Sequence, residues 1–221
     1  GTYTFRLEDV AENCAVEGSA NPATLALQRG TLTSLSYRLT CAPVANPGWV
    51  RVAKGHDIDP RTLSYKTGDE YRVAVRGRST QTAVFLDSTG RAYSLPAHTL
   101  PSARGQGEPL SGRLDPPDGA TFPGVLIGEP GERWVLASGA GYGFVVQLSE
   151  LHSRNRAGKA ILKVPDGSTV LAPVPVPAGD AVLLAAVNTD GRLLTFPVSE
   201  LPELPRGKGN KIFGIPSKKA A

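Results

Sequence analysis

The sequence predicts an all-β chain, built as a radial array of about four to five similar four-stranded units. Three observations predict it. A motif recurs with a period near 50 residues. Each copy sets two apolar β-type runs on either side of a glycine turn. Glycine (25) and proline (19), about a fifth of the 221 residues, are scattered rather than clustered. Scattered Gly and Pro punctuate short strands and turns, whereas long helices exclude them. Hydrophobic content of 40% supplies a packed core. A four-stranded unit cannot bury both of its faces alone, so units of this kind stack around a centre. The runs lack the three- and four-residue apolar spacing of an α-solenoid, and the period is too long for a parallel β-helix.

The hairpins come first in each copy. Asp87-Ser-Thr-Gly90-Arg-Ala-Tyr93 recurs as Ser138-Gly-Ala-Gly141-Tyr-Gly-Phe144 and as Asn188-Thr-Asp-Gly191-Arg-Leu-Leu194, with key glycines 51 and 50 residues apart. Thr82–Leu86, Arg133–Ala137 and Ala181–Val187 precede these turns; Ala92–Leu95, Phe144–Leu148 and Leu193–Phe196 follow them. Two such runs around a Gly turn read as a hairpin. Leu100, Leu151 and Leu201 stand ten residues past each glycine. Next come short basic loops at 102–107, 154–159 and 206–211, and acidic-Gly turns at Asp118-Gly119 and Asp166-Gly167 close two of the units. A weaker copy precedes them: Gly48-Trp-Val-Arg51 for the hairpin, Ala53-Lys-Gly-His56 for the basic loop, Thr67-Gly68-Asp69 for the closing turn. The expected blades are roughly 48–80, 81–130, 131–180 and 181–221. Residues 1–47 do not fit the repeat; Thr24–Leu27 and Thr31–Tyr37 read as strands or a short helix.

Charge points to a partner. The formal net charge is +4; residues 1–47 hold three basic against four acidic residues, and the remainder holds 21 against 16. In a radial array, loops at equivalent positions share one rim. Arg104, Arg154, Arg156, Lys159, Arg206, Lys208 and Lys211 then form a curved positive stripe, joined by Arg51 and Lys54 of the weaker copy. Cations beside glycines, whose backbone N–H groups allow close approach, suit phosphates. One basic turn is an ordinary solvated turn, but independent turns have no reason to repeat a charge at a fixed period. Alternation along Tyr71–Arg78 places Arg72 and Arg76 on an exposed face, where they add charge to the surface of the first repeat and join the candidates for phosphate contact.

Other chemistry is weak. Gly139-Ala-Gly-Tyr-Gly143 leads into a strand, not the helix that would hold a pyrophosphate, so it reads as the hairpin turn. Gly158-Lys159 and Gly207-Lys208 lack the upstream glycine of a phosphate-binding P-loop. His56, His98 and His152 share no metal or catalytic spacing, and no G-x-S-x-G occurs. Neither a catalytic nor a metal site is expected. Tyr93, Trp134, Trp49 and Tyr142 read as core aromatics. Cys14 and Cys41 fit no zinc spacing and read as free thiols. No apolar run reaches the ~18 residues that span a bilayer, and no signal peptide is visible. A cytoplasmic location is the default, and the glycine start with no methionine reads as an internal start.

Several of these segments together resemble a known family: Gly48–Asp59, Phe85–Tyr93, Leu100–Leu110, Ala140–Phe144, Asn155–Ala160 and Arg206–Ile212. They are similar to the C-terminal domains of type IIA topoisomerase A subunits, of the topoisomerase IV kind, over roughly residues 48–216. The resemblance implies a β-pinwheel, a propeller-like disc whose blades exchange strands, with double-stranded DNA bent around a positive rim in the nucleoid. The strict Q-R-R-G-G-K-G box of the gyrase version is absent, Arg206-Gly-Lys-Gly209 being its nearest echo, which implies weaker bending. It further implies a non-catalytic part of a larger enzyme. The catalytic core on the same polypeptide and a separate ATPase subunit would be partners, and ATP and Mg would be used there; no cofactor is expected in this chain. A propeller-type protein-interaction scaffold is the alternative. A propeller enzyme would need inward carboxylates or metal ligands, and the sequence shows no such set.

Overall fold

The computed structural model describes the backbone of four short strands before residue 42, and residues 48–213 except 56–57, 67–68 and 180–181. The chain divides into two units, Gly1–Ala45 and Asn46–Ala221. In the first, β1 (Thr2–Phe5) pairs antiparallel with β3 (Ala23–Ala26), and β2 (Cys14–Glu17) with β4 (Arg38–Cys41). Thr24–Ala26 is therefore strand, as one of the two readings had it, while 31–37 lies outside the described residues. Cys14 and Cys41 sit opposite each other in register; their side chains, and so the free-thiol expectation, lie outside the described residues.

The second unit begins with β5 (Trp49–Val50) and runs through β6 (Thr82–Leu86), β7 (Arg91–Pro96), β8 (Glu108–Pro109) and β9 (Gly124–Leu126). There follow β10 (Arg133–Ser138), β11 (Tyr142–Gln147), the one-turn α1 (Leu148–Leu151), β12 (Lys159–Ala160) and β13 (Val174–Val176). The last elements are β14 (Leu183–Val187), β15 (Leu193–Pro197) and β16 (Asn210–Lys211). The expected hairpins are β6–β7, β10–β11 and β14–β15. Each turn closes the same way: the glycine N–H donates to the residue three before it, in Gly90 to Asp87 (3.1 Å), Gly141 to Ser138 (2.9 Å) and Gly191 to Asn188 (3.0 Å). The glycines sit at φ +84°, +78° and +77°. That left-handed conformation strains any residue with a Cβ.

Strand exchange completes the blades. The sheet orders are β12-β7-β6-β9 and β13-β10-β11-β16. The second and third repeats close their own hairpins with β9 and β13, and the second, third and fourth each donate a two-residue strand, at the end of the basic loop or just past it, to the second hairpin strand of the preceding repeat. Thus β8 joins β5, β12 joins β7 and β16 joins β11. The carbonyls of Gly48, Gly90 and Gly141 accept, in register, from Leu110, from Ile161 and Leu162, and from Ile212 and Phe213 of the following repeats. This makes Gly48 the turn glycine of the first copy. The described strand partner of β5 comes from the next repeat, as for β7 and β11; the rest of the hairpin expected at Gly48–Arg51 lies outside the described residues. A repeat in sequence is not a sheet in space.

The sheets pack face to face. Val84, Leu86 and Leu126 meet Trp134, Leu136, Phe144 and Val146 in the largest apolar core, and Val135 and Val145 meet Leu184 and Phe196 across the next interface. Among the described residues two blades have four strands and two have two, fewer than the four to five complete blades expected. The outward face of β14–β15 is correspondingly bare, with Leu183, Val187 and Leu193 each about two-thirds exposed (67, 67 and 65%). Tyr71–Arg78 also corrects the sequence reading. It forms no strand among the described residues; Arg72 and Arg76 are exposed as expected, but so are Tyr71, Val73 and Val75. Alternation buries one face only when a neighbouring strand or layer is present to receive it.

The loop glycine before each donated strand is fixed by the same contact. Gly158 has φ +64°, and a Cβ there would meet the Tyr93 ring at 2.6 Å and the Ala92 carbonyl oxygen at 2.8 Å. Gly158→Ala is expected to destabilise the second unit by about 2–3 kcal/mol, from left-handed strain plus displacement of β12. Urea unfolding monitored by circular dichroism measures it; a change below about 0.5 kcal/mol would show that the loop accommodates a methyl group.

Candidate nucleic-acid interface

Strand exchange decides where the basic loops go. Because β8, β12 and β16 lie at the ends of their loops or just past them, each loop is pinned to the same edge of three successive sheets, next to the second hairpin strand of the preceding repeat. Arg104 is exposed in the first of these loops, Arg154 and Arg156 in the second, and Arg206 in the third; Lys211 is exposed within β16. Lys159 and Lys208 are half-buried. The three ion pairs among the described residues are Arg61–Asp59, Arg78–Glu129 and Arg113–Glu108, and none uses a loop cation.

The loops are held by internal bonds. In the second, the Asn155 side-chain oxygen accepts from the Ala157 N–H at 3.0 Å, the Gly158 N–H donates to the Asn155 carbonyl at 2.9 Å, and Asp115 N donates to the Arg156 carbonyl at 2.8 Å. The Arg156 guanidinium leans on the Gly112 carbonyl at 3.3 Å. His152, at the entrance, is pushed below its ordinary pKa by burial and then by Lys159, so it stays neutral at pH 7 and adds no charge.

Four candidates are placed differently. Arg51 is half-buried; it donates to Ser64 O at 2.8 Å and Gly105 O at 3.4 Å and lies 4.5 Å from the Tyr65 ring centroid, so it braces two loops instead of facing solvent. Lys54 is exposed, but on the segment that follows β5 and not in one of the three loops that precede donated strands. Arg72 and Arg76 are exposed, and Arg76 shares a shallow concavity with Arg78, Gln81, Glu129 and Glu132, a mixed-charge surface beyond β9. Lys208 rests 3.7 Å above the Tyr142 ring. Tyr142 and Trp49 are consequently lysine platforms and not core residues; Lys66 lies 3.9 Å over Trp49, which is 39% exposed. Tyr93 and Trp134 are buried as expected.

The sequence reading missed two cations. Lys163 is exposed, and its N–H donates to the Gly207 carbonyl at 2.8 Å, which sets it beside the third loop. It lies one residue past the apolar pair Ile161-Leu162, where the period gave no signal. Arg91 is the other. Among the described residues no group of three His, Cys, Asp or Glu side chains is placed to hold a metal, and no helix is long and apolar enough to cross a membrane.

Comparison with known proteins sets this geometry in a family. Residues 132–177 and 183–218 match the family model described as DNA gyrase C-terminal domain, beta-propeller. The chain is 61% identical over 178 residues to the A subunit of DNA topoisomerase 4 from Pseudomonas aeruginosa, covering 80% of this chain and 24% of that protein. To its Escherichia coli K12 counterpart it is 53% identical over 174 residues, covering 79% and 23%. The solved structure of the E. coli ParC C-terminal domain superposes with TM-score 0.71 at 52% identity, covering 79% of this chain and 71% of that one. The chain belongs to the C-terminal domains of topoisomerase IV A subunits. A second solved C-terminal domain of DNA topoisomerase IV, 15% identical with TM-score 0.60, covers 75% of this chain and 54% of that one and shares the fold. The strand-exchanged, mostly-sheet architecture is thus that of the topoisomerase IV family, as the resemblance implied. This topoisomerase IV-type chain spans about a quarter of the length of the curated relatives it matches.

Proposed function

We propose that the second unit is a non-catalytic module that binds and bends double-stranded DNA, presenting a segment to a topoisomerase IV catalytic core elsewhere in the full-length enzyme. One observation carries the reading: three cation-bearing loops sit at equivalent edges of three successive sheets, with Arg104, Arg154, Arg156 and Arg206 exposed and outside the described ion pairs. Such contacts position a duplex without reading its sequence. Bending a site of ~20–30 bp costs on the order of 1–6 kcal/mol and is offset by the added edge contacts. In this reading the partners are duplex DNA, the catalytic core on the same polypeptide and the ATPase subunit. Decatenation and supercoil relaxation driven by ATP belong to that assembly in the cytoplasm, at the nucleoid, and this unit needs no cofactor.

The test is the salt dependence of binding. With about five phosphates neutralised, log K for a 30-bp linear duplex is expected to fall against log salt with a slope near −4 to −5. Fluorescence anisotropy between 50 and 300 mM salt gives the slope. No binding at 50 mM, or an affinity indifferent to salt, would defeat the proposal and leave a protein-interaction scaffold as the better reading.

A further inference from the structure

We infer that Arg91 is a positioning residue for the second basic loop, and that it acts on DNA only through that loop. This rests on the DNA-binding reading above. The residue opens β7, directly after the turn glycine of the second repeat, while the loop it touches belongs to the third. Its guanidinium is half-buried. Nε donates to the Ala157 carbonyl at 2.9 Å, and Nη2 donates to the Gly158 carbonyl at 3.1 Å. A planar fork fixed on two consecutive carbonyls sets the direction of the chain between Arg156 and Lys159, which a flexible ammonium would not do.

Arg91 is itself held. Its N–H donates to Asp87 Oδ1 at 2.9 Å, and the Tyr93 hydroxyl donates to Asp87 Oδ2 at 2.7 Å. The Tyr93 ring in turn forms the wall against which Gly158 closes. Loop backbone, ring and guanidinium therefore make one packed assembly across the repeat boundary, with the cations of 154–159 on its outer side. The preceding and following loops are braced by other means: Arg51, three residues past Gly48, reaches Gly105 O, and Tyr142, in the place of Arg91, seats Lys208. Arg192 follows the turn glycine of the fourth repeat as Arg91 does that of the second; it is exposed, with its N–H on Asn188 Oδ1 at 2.9 Å.

The experiment is a double-mutant cycle in the full 221-residue chain. Arg91→Ala and Arg91→Lys are each measured alone and on top of Arg154→Ala/Arg156→Ala/Lys159→Ala, with binding to a 30-bp duplex read by anisotropy at several salt concentrations. Thermal unfolding confirms the fold. Acting through the loop, both single variants are expected to weaken binding about tenfold or more and to flatten the salt slope by about 2, more than the ~0.9 expected from one lost phosphate contact. On the triple background neither should cause further loss. A fully additive loss, or a lysine variant equal to the parent, makes Arg91 an ordinary phosphate contact and overturns the inference. Amide exchange at Gly158, expected to quicken in Arg91→Ala, is independent of DNA. If the parent chain binds no duplex, the functional reading fails, and the exchange result alone decides whether Arg91 positions the loop.

Discussion

A chain carrying Arg156→Ala, Lys159→Ala, Arg206→Ala and Lys208→Ala together is expected to bind a linear duplex about a thousandfold more weakly than the parent at 0.15 M salt. Each neutralised phosphate releases ~0.9 of a counterion, which at this salt is a factor of about five per contact, so four contacts multiply to roughly 10³. The fold should survive. Arg156 and Arg206 are exposed, Lys159 and Lys208 are half-buried, and among the described residues Arg156 donates to the Gly112 carbonyl and Lys208 rests on the Tyr142 ring. Losing the lysine–ring contact costs about 0.5–1 kcal/mol, a small shift in unfolding temperature. The matched control replaces four arginines away from the loops, Arg61, Arg72, Arg76 and Arg78, by alanine. It lowers net charge equally. If both sets weaken binding to the same degree, affinity follows the overall charge and the loop edge has no special part in it. A loss below tenfold in the loop set would have the same meaning.

The hairpins and the loops were legible in the sequence because each depends on local chemistry. A turn whose glycine must sit at φ near +80° between two β-type runs can be read from Asp87–Tyr93 alone, and repetition at 138–144 and 188–194 makes the pattern hard to mistake. The exchange of strands was not legible from pattern. The donated strands are two residues long, Glu108–Pro109, Lys159–Ala160 and Asn210–Lys211, too short to show alternation, and their partners lie in another repeat. The direction of a cation was equally hidden. Arg51 and Arg104 look alike in sequence, yet one turns inward to carbonyls and Tyr65 while the other faces solvent. Trp49 and Tyr142 carry the residue types of a core and stand instead beneath lysines, since a flat ring at a turn accepts a cation as readily as an apolar neighbour. Along Tyr71–Arg78 the alternation is genuine and lacks a described partner strand to give it meaning. Local rules are therefore readable in this chain, whereas pairing between repeats needs the fold.

Asp87→Ala is expected to cost about 3–5 kcal/mol of unfolding free energy, the largest effect of any single substitution considered for this chain. The Asp87 side chain is fully buried, and its two oxygens accept from Thr89 N (2.9 Å), Thr89 Oγ1 (2.7 Å), Arg91 N (2.9 Å) and the Tyr93 hydroxyl (2.7 Å). Burial, and then the bond to Asp87, hold the Tyr93 phenol above its ordinary pKa, so it remains a donor at neutral pH. Alanine would leave that buried hydroxyl and two turn N–H groups without their acceptor. Asp87→Asn is a gentler change. The amide oxygen can keep the three bonds on Oδ1, and the Tyr93 hydroxyl can rotate to accept from the amide nitrogen, at a cost of about 1 kcal/mol. The repeats contain their own controls. Asn188 occupies this position in the fourth repeat and accepts from Arg192 N at 2.9 Å, which shows that an amide supports the turn. Ser138 occupies it in the third, where its buried hydroxyl has no hydrogen-bond partner among the described residues, so Ser138→Ala is expected to change stability by less than about 0.5 kcal/mol or to raise it slightly. Urea unfolding at pH 7 compares the three variants directly. Should Asp87→Ala and Ser138→Ala prove equally mild, the carboxylate network does not hold the second turn, and the left-handed glycine together with strand pairing must suffice in every repeat.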